Sequence, residues 1–201
     1  MDRLSEKKSQ KREALLGAGL EFFLEHGVEV TSIDEIVKRA GVAKGTFYLY
    51  FKNKYELLEQ VILEEGYRAL REAFDYLEQR NAREYLSPED MLLSFTSYLI
   101  DYLAAHKSIA QLIRNHLSIG LFFMERFENP EIKQRVEQLL AAVTNVTLPE
   151  HKARQVLYIL VSMVGSICSD AILYGRPYTL DEIRPMLYTV ILKMRQLNFA
   201  E

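Results

Sequence analysis

The sequence predicts an all-α fold, and three observations carry that prediction. Only five prolines and nine glycines punctuate 201 residues, too few for the many tight turns of a β-sandwich. The long intervals between turn signals are filled with Leu, Glu, Ala, Lys, Arg and Gln, which are good helix formers. Several of those intervals open on capping residues and close on glycine. A content of 49% hydrophobic and 26% charged residues is that of a folded globular chain.

The first helix is expected from Leu4 to His26, with Leu15, Ala18, Phe22 and Phe23 on one face and Gly27 at its end. Gly17 and Gly19 inside it each cost up to about 1 kcal/mol relative to alanine, so this helix leans on tertiary packing. Thr31 and Ser32 offer side-chain oxygens to cap a short helix, Ile33–Ala40, with Asp34 and Glu35 in its first turn. Gly41 stops that helix, and a third runs from Lys44 to Tyr50. A fourth starts near Asn53 and extends to around Gln79, with Leu57, Leu58, Val61, Ile62, Leu70, Phe74 and Leu77 as its apolar positions.

Later boundaries are written in cap chemistry. Ser87-Pro88-Glu89-Asp90 starts a helix to Ala105, and Asn129-Pro130-Glu131 starts another to Thr144. Between His106 and Phe127 one or two helices are expected. Pro149 and Glu150 open a long helix closed by Gly175, and the capping box Thr179-Leu180-Asp181-Glu182 opens the last, to Leu197. The total is roughly nine helices and no strand. The window from Val156 to Ile172 is broken by Ser162, Gly165, Ser166, Ser169 and Asp170. It reads as a buried helix, too short and too polar for a bilayer, so no membrane is expected among the partners.

The formal charge of −3 hides an asymmetry. Met1 to Lys54 holds ten Lys/Arg against eight Asp/Glu, a net of +2, and the remainder carries −5. A modestly basic head on an acidic body fits a protein that meets phosphates at one end only. The chain is accordingly divided into a head, residues 1–54, and a body, residues 55–201. The single Cys168 forms no intrachain disulfide, and Met1 leads into a charged stretch rather than an apolar leader. The expected location is the cytoplasm.

The segment Thr31 to Lys54, TSIDEIVKRAGVAKGTFYLYFKNK, carries the function. Two short helices flank the turn Gly41-Val42-Ala43. Ile36, Val37 and Ala40 face Phe47 across it, and Val42 plugs the corner. Gly41 supplies the left-handed conformation of a sharp helix-to-helix corner, which lets the second helix lie in a major groove while the first crosses above. Lys44 and Lys54 bracket that second helix as phosphate partners. Gly45 permits close backbone approach, and Thr46, Tyr48 and Tyr50 carry hydroxyls for phosphates or base edges. Phe47 and Phe51 are assigned to the core. The run Lys7, Lys8, Lys11 and Arg12 has two readings, a solvated helix face or a source of extra phosphate contacts.

This stretch resembles the DNA-binding domain of the TetR (tetracycline-repressor-like) family. The likeness rests on Leu20-Glu21-Phe22-Phe23 to Gly27, Thr31-Ser32, Ile36, Ala40-Gly41-Val42, Lys44-Gly45-Thr46-Phe47-Tyr48 and Tyr50-Phe51-Lys52-Asn53-Lys54, about the first quarter of the chain. The resemblance implies that Thr31, Lys44, Gly45, Tyr48, Tyr50 and Lys54 match positions that usually meet DNA. It also implies a homodimer built on the last two helices, a small-molecule effector and, as in most such proteins, repression. Two departures stand out: Ala43 where relatives often carry a hydroxyl residue, and Val37 where a small alanine is frequent.

The body shows no named motif, only apolar surplus. Leu160, Val164 and Ile167 on the long helix, with Leu187, Val190, Ile191 and Met194 on the last, are the expected dimer contacts. A two-fold dimer would read a near-palindromic operator in double-stranded DNA. Phe95, Tyr98 and Tyr102 form an aromatic stripe at helical spacing, with His116 and Phe123 near them in sequence. These five are either ordinary core or the lining of a pocket for an apolar or aromatic effector. In the second case, ligand binding would tilt the long fourth helix and weaken DNA affinity by about 1–3 kcal/mol. His26, His106, His116 and His151 lack zinc-ligand spacing, and no cofactor is expected. Carboxylates such as Glu64, Glu65 and Glu72 come without a nucleophile, phosphate loop or metal triad, so the protein is not expected to be an enzyme.

Overall fold

The computed structural model describes residues 3–115, 129–144 and 149–194, and among them every regular element is a helix. In chain order these are α1 (Arg3–His26), α2 (Ile33–Ala40), α3 (Lys44–Tyr48), α4 (Lys54–Glu84), α5 (Pro88–Ala105) and α6 (Lys107–Asn115), followed by α7 (Pro130–Thr144). Then come α8 (Glu150–Met163), a π-helical turn (Val164–Cys168), α9 (Ser169–Tyr174) and α10 (Leu180–Met194). Two boundaries differ from expectation. α3 stops at Tyr48, because the amides of Tyr50 and Phe51 both donate to the Phe47 carbonyl at 2.9 Å and tighten the chain into a turn. α4 runs past Gln79 to Glu84, where nothing breaks it and Arg80 pairs with Glu84 one turn on, at 3.0 Å.

The chain divides into two compact units, Met1–Glu65 and Gly66–Glu201, and α4 belongs to both. In the first, Leu15, Phe23, Ile36, Phe47, Phe51 and Leu57 are almost fully buried and form one small core. Gly19 explains itself there. A methyl group at its Cα would come within 2.7 Å of a Leu57 side-chain carbon, so glycine is what lets α1 approach α4 so closely. Asn53 caps α4, its side-chain oxygen accepting from the amides of Tyr55 (2.9 Å) and Glu56 (3.0 Å).

In the second unit, Phe95 of α5 packs on Phe74 of α4 with ring centroids 4.6 Å apart. Arg135 of α7 reaches back to Asp75 (2.7 Å) and Glu78 (2.8 Å) while its guanidinium lies over the Phe74 ring. Arg184 of α10 braces α5 through Asp101 at 2.7 Å, and Arg114 of α6 pairs with Asp170 of α9. By length and composition alone His151–Tyr174 passes for a membrane span, its most apolar 18-residue window having a mean hydropathy of 2.0. Here it packs against α5 and α6, with the π turn inserted midway and the Ser169 hydroxyl buried beside it without a partner among the described residues. Burial pushes the adjacent Cys168 thiol up to about 11, so the reactive thiolate is suppressed at neutral pH.

Two outcomes follow. A thiol reagent added to the native protein at pH 8 will leave Cys168 unmodified, and denaturant will release one reactive thiol; rapid labelling of the native state would contradict its burial. Gly41 sits at φ 66°, so Gly41→Ala will lower unfolding free energy by about 1–2 kcal/mol in a denaturant titration.

Candidate nucleic-acid interface

The corner between α2 and α3 is built by local chemistry. Ser32 and Glu35 form a reciprocal capping box at the start of α2, the Ser32 amide donating to the Glu35 carboxylate at 2.9 Å and the Ser32 oxygen accepting from the Glu35 amide. The hydrogen bond from the Ser32 side chain, then that from its amide, holds the Glu35 carboxyl below the usual carboxylate range. At the other end, the amides of Gly41 and Val42 close onto the carbonyls of Lys38 and Val37. Ala43 makes no side-chain cap for α3. That five-residue helix is held instead by Phe47, which is fully buried and ringed by Phe51 and Tyr48 at 5.6 and 5.4 Å.

The opposite face of α3 is open. Gly45 and Tyr48 are exposed and Thr46 is half-buried. The Tyr48 hydroxyl has no hydrogen-bond partner among the described residues. Leu49, next along, is 81% exposed, an apolar side chain on a polar surface that sequence reasoning passed over. Its signal was present: it follows Tyr48 outside the Phe47–Phe51 core spacing.

Four of the other residues named from the sequence have their polar groups engaged within the head. Thr31 is buried, and its hydroxyl donates to the Gly27 carbonyl at 2.7 Å, closing the loop between α1 and α2. The Lys54 ammonium donates to the carbonyls of Glu29 (2.7 Å) and Thr31 (3.1 Å), clasping the same loop. Lys44 pairs with Asp34 at 2.8 Å, and that hydrogen bond, followed by the Asp34 charge, raises the Lys44 pKa. The Tyr50 hydroxyl donates to the Lys8 carbonyl at 3.0 Å. Gly45, Thr46 and Tyr48 are therefore gathered on one open surface, whereas Thr31, Lys54 and Tyr50 tie neighbouring elements together and Lys44 joins α3 to α2 in an exposed ion pair.

The residues expected to form the dimer contact divide in the same way. Val164, Leu187 and Ile191 are buried inside their own unit, Leu160 is half-buried, and Ile167 and Val190 are exposed. Ile159 and Met186 join the exposed set at 48% and 61%. The Met194 side chain lies outside the described residues. Of the aromatic stripe, Phe95 and Tyr102 are buried, Tyr102 stacking on His106 at 4.2 Å. Tyr98 is half-buried with its hydroxyl on Glu72 at 3.2 Å. His116 and Phe123 fall outside the described residues.

Comparison with known proteins gives this geometry its context. Residues 15–61 match the model of bacterial regulatory proteins of the tetR family. An uncharacterized HTH-type transcriptional regulator, YvdT of Bacillus subtilis, is 29% identical over 76% of this chain and 74% of its own length. The fatty acid metabolism regulator protein of Bacillus subtilis is 30% identical over 70% of this chain and 66% of its own. Among solved structures, the transcriptional regulator FadR of Bacillus subtilis in complex with stearoyl-CoA superposes with a TM-score of 0.51 at 20% identity, covering 90% of this chain and 97% of that one. The helix-turn-helix head, the all-helical body and these relatives agree: the chain belongs to the TetR family of DNA-binding transcriptional regulators and is not an enzyme.

Proposed function

We propose that this regulator is a cytoplasmic repressor that binds a near-palindromic operator as a homodimer and leaves it when an apolar effector occupies the second unit. One observation carries the DNA side of this reading. The face of α3 opposite Phe47 offers Gly45, Thr46, the unpartnered Tyr48 hydroxyl and Leu49 together, a backbone approach, two hydroxyls and an apolar contact for a thymine methyl group. Lys44 supports it as a cation that can exchange its Asp34 partner for a phosphate.

Exposed Ile159 and Ile167 on the long helix and Met186 and Val190 on the last support the dimer, since exposed large apolar side chains favour association. Two heads on a two-fold axis read two half-sites. For the effector, the packed meeting of α5, α6, the π turn and α9 supplies an apolar wall in which the Ser169 hydroxyl is left without a partner among the described residues, and π turns recur at functional positions. Tyr98 lies toward α4, its ring 5.1 Å from Tyr76 and its hydroxyl on Glu72, and Tyr102 is buried on the same helix. Among apolar effectors, long-chain acyl thioesters are the first class to test, because one relative is a fatty acid metabolism regulator and one structural neighbour was solved with stearoyl-CoA.

Selection of duplexes from a random library by the full-length protein will enrich a near-palindrome bound by a dimer. Tyr48→Ala will weaken binding to that duplex by about 1–3 kcal/mol with its melting temperature unchanged. Stearoyl-CoA, or a member of a broader apolar panel, will lower operator affinity by about 5- to 150-fold. A protein that enriches no sequence, or whose Tyr48→Ala variant binds as well as the parent, is not reading DNA through α3.

A further inference from the structure

The cations of this head differ in what holds them, and Lys38 and Lys52 are exposed without an ion-pair partner among the described residues. Of the two lysines that bracket α3, Lys44 is held by Asp34 at 2.8 Å, and Lys54 spends its ammonium on two backbone carbonyls. Arg39 is forked onto Glu21 at 2.8 and 2.6 Å, and Arg12 reaches Gln60 at 2.8 Å and Glu64 at 3.4 Å. Lys7, Lys8 and Lys11, on the second and third turns of α1, are all exposed, and their ammonium groups have no hydrogen-bond or ion-pair partner among the described residues. Glu13, two residues beyond Lys11, accepts from Ser9 at 2.8 Å.

Their placement along α1 is informative. Lys7 and Lys11 are one turn apart, and like charges at that spacing destabilise a helix by about 0.2–0.5 kcal/mol. Lys8 lies between them on the adjoining edge, so the three share one continuous face. That face is fastened to the recognition helix: the Tyr50 hydroxyl, two residues beyond the end of α3, donates to the Lys8 carbonyl at 3.0 Å. A tyrosine named from the sequence as a DNA contact thus holds the basic turns of α1 beside the exit of the helix that enters the groove. Arg12, facing α4, sits outside this set because its guanidinium is already satisfied.

We infer that Lys7, Lys8 and Lys11 form an accessory phosphate-binding ridge that grips the DNA backbone flanking each half-site, with Tyr50 as its positioning residue. The inference rests on the operator-binding reading above and adds to it the source of the salt dependence. Three free cations preset on a rigid helix gain contacts with phosphates and displace counterions. Lys44 first has to give up Asp34, which shrinks its net gain.

The test is the slope of log Kobs against log salt concentration, measured with full-length protein and its selected duplex. Each neutralised phosphate contributes about 0.9 to that slope. The triple variant Lys7→Ala, Lys8→Ala, Lys11→Ala will flatten it by about 2 to 3 per protomer and weaken binding at low salt at least tenfold, with sequence preference and melting temperature retained. Replacing the same three by arginine will restore the slope. Tyr50→Phe, which keeps every charge and removes only the tether, will weaken binding severalfold without changing preference. A control that removes Lys107 and Lys152 from the second unit will leave the slope as it is. If the triple variant keeps the parental slope while the parent binds its duplex selectively, the ridge is overturned and operator binding stands. If the parent itself selects no duplex, both readings fall.

Discussion

A helix of five residues cannot stand by itself in water, since nucleation costs more than so few backbone hydrogen bonds return. α3 exists because Phe47 is sunk completely into the small core of the head, with the Gly41 corner fixing the direction in which it leaves α2. Everything functional in the first unit depends on that seat. Burying one aromatic face orients the other face outward, and Gly45, Thr46, Tyr48 and Leu49 are presented to solvent as a consequence of where Phe47 goes.

Around that seat, polar side chains serve structure before they serve DNA. Thr31 and Lys54 stitch the loop that ends α1, Tyr50 stitches α3 to α1, and Lys44 is balanced by Asp34. A short recognition helix gains precision from such ties, because a contact residue is only as well placed as the elements beneath it. The same economy holds in the second unit, where Arg135, Arg114 and Arg184 each join helices that are distant in sequence.

The corner, the Phe47 and Phe51 core and the helix caps were legible from the sequence, since each depends on local chemistry: a glycine at positive φ, an aromatic at helical spacing, a serine three residues before a glutamate. What could not be read was which partner takes a given polar atom. Thr31 and Tyr50 match positions that usually meet DNA, yet a hydroxyl satisfies a carbonyl as readily as a phosphate, and only the three-dimensional path of the chain decides. The dimer face posed a second limit. A helix apolar nearly all round offers no polar edge to mark inside from outside, so Val164, Leu187 and Ile191 could not be separated from Ile167 and Val190 by spacing. The π turn adds one residue to the helical period and shifts the faces again. Glycine 19 shows the converse: a residue that looked costly inside α1 is required by the approach of Leu57.

Hydrogen exchange of the full-length protein, with and without its selected duplex, tests most directly whether the Phe47-seated helix is what DNA meets. The account predicts new protection concentrated in residues 44–50 and the first turns of α1, with the buried core of the head unchanged. Protection absent from 44–50 while the duplex is bound would contradict it, and would place the nucleic-acid surface elsewhere on the molecule.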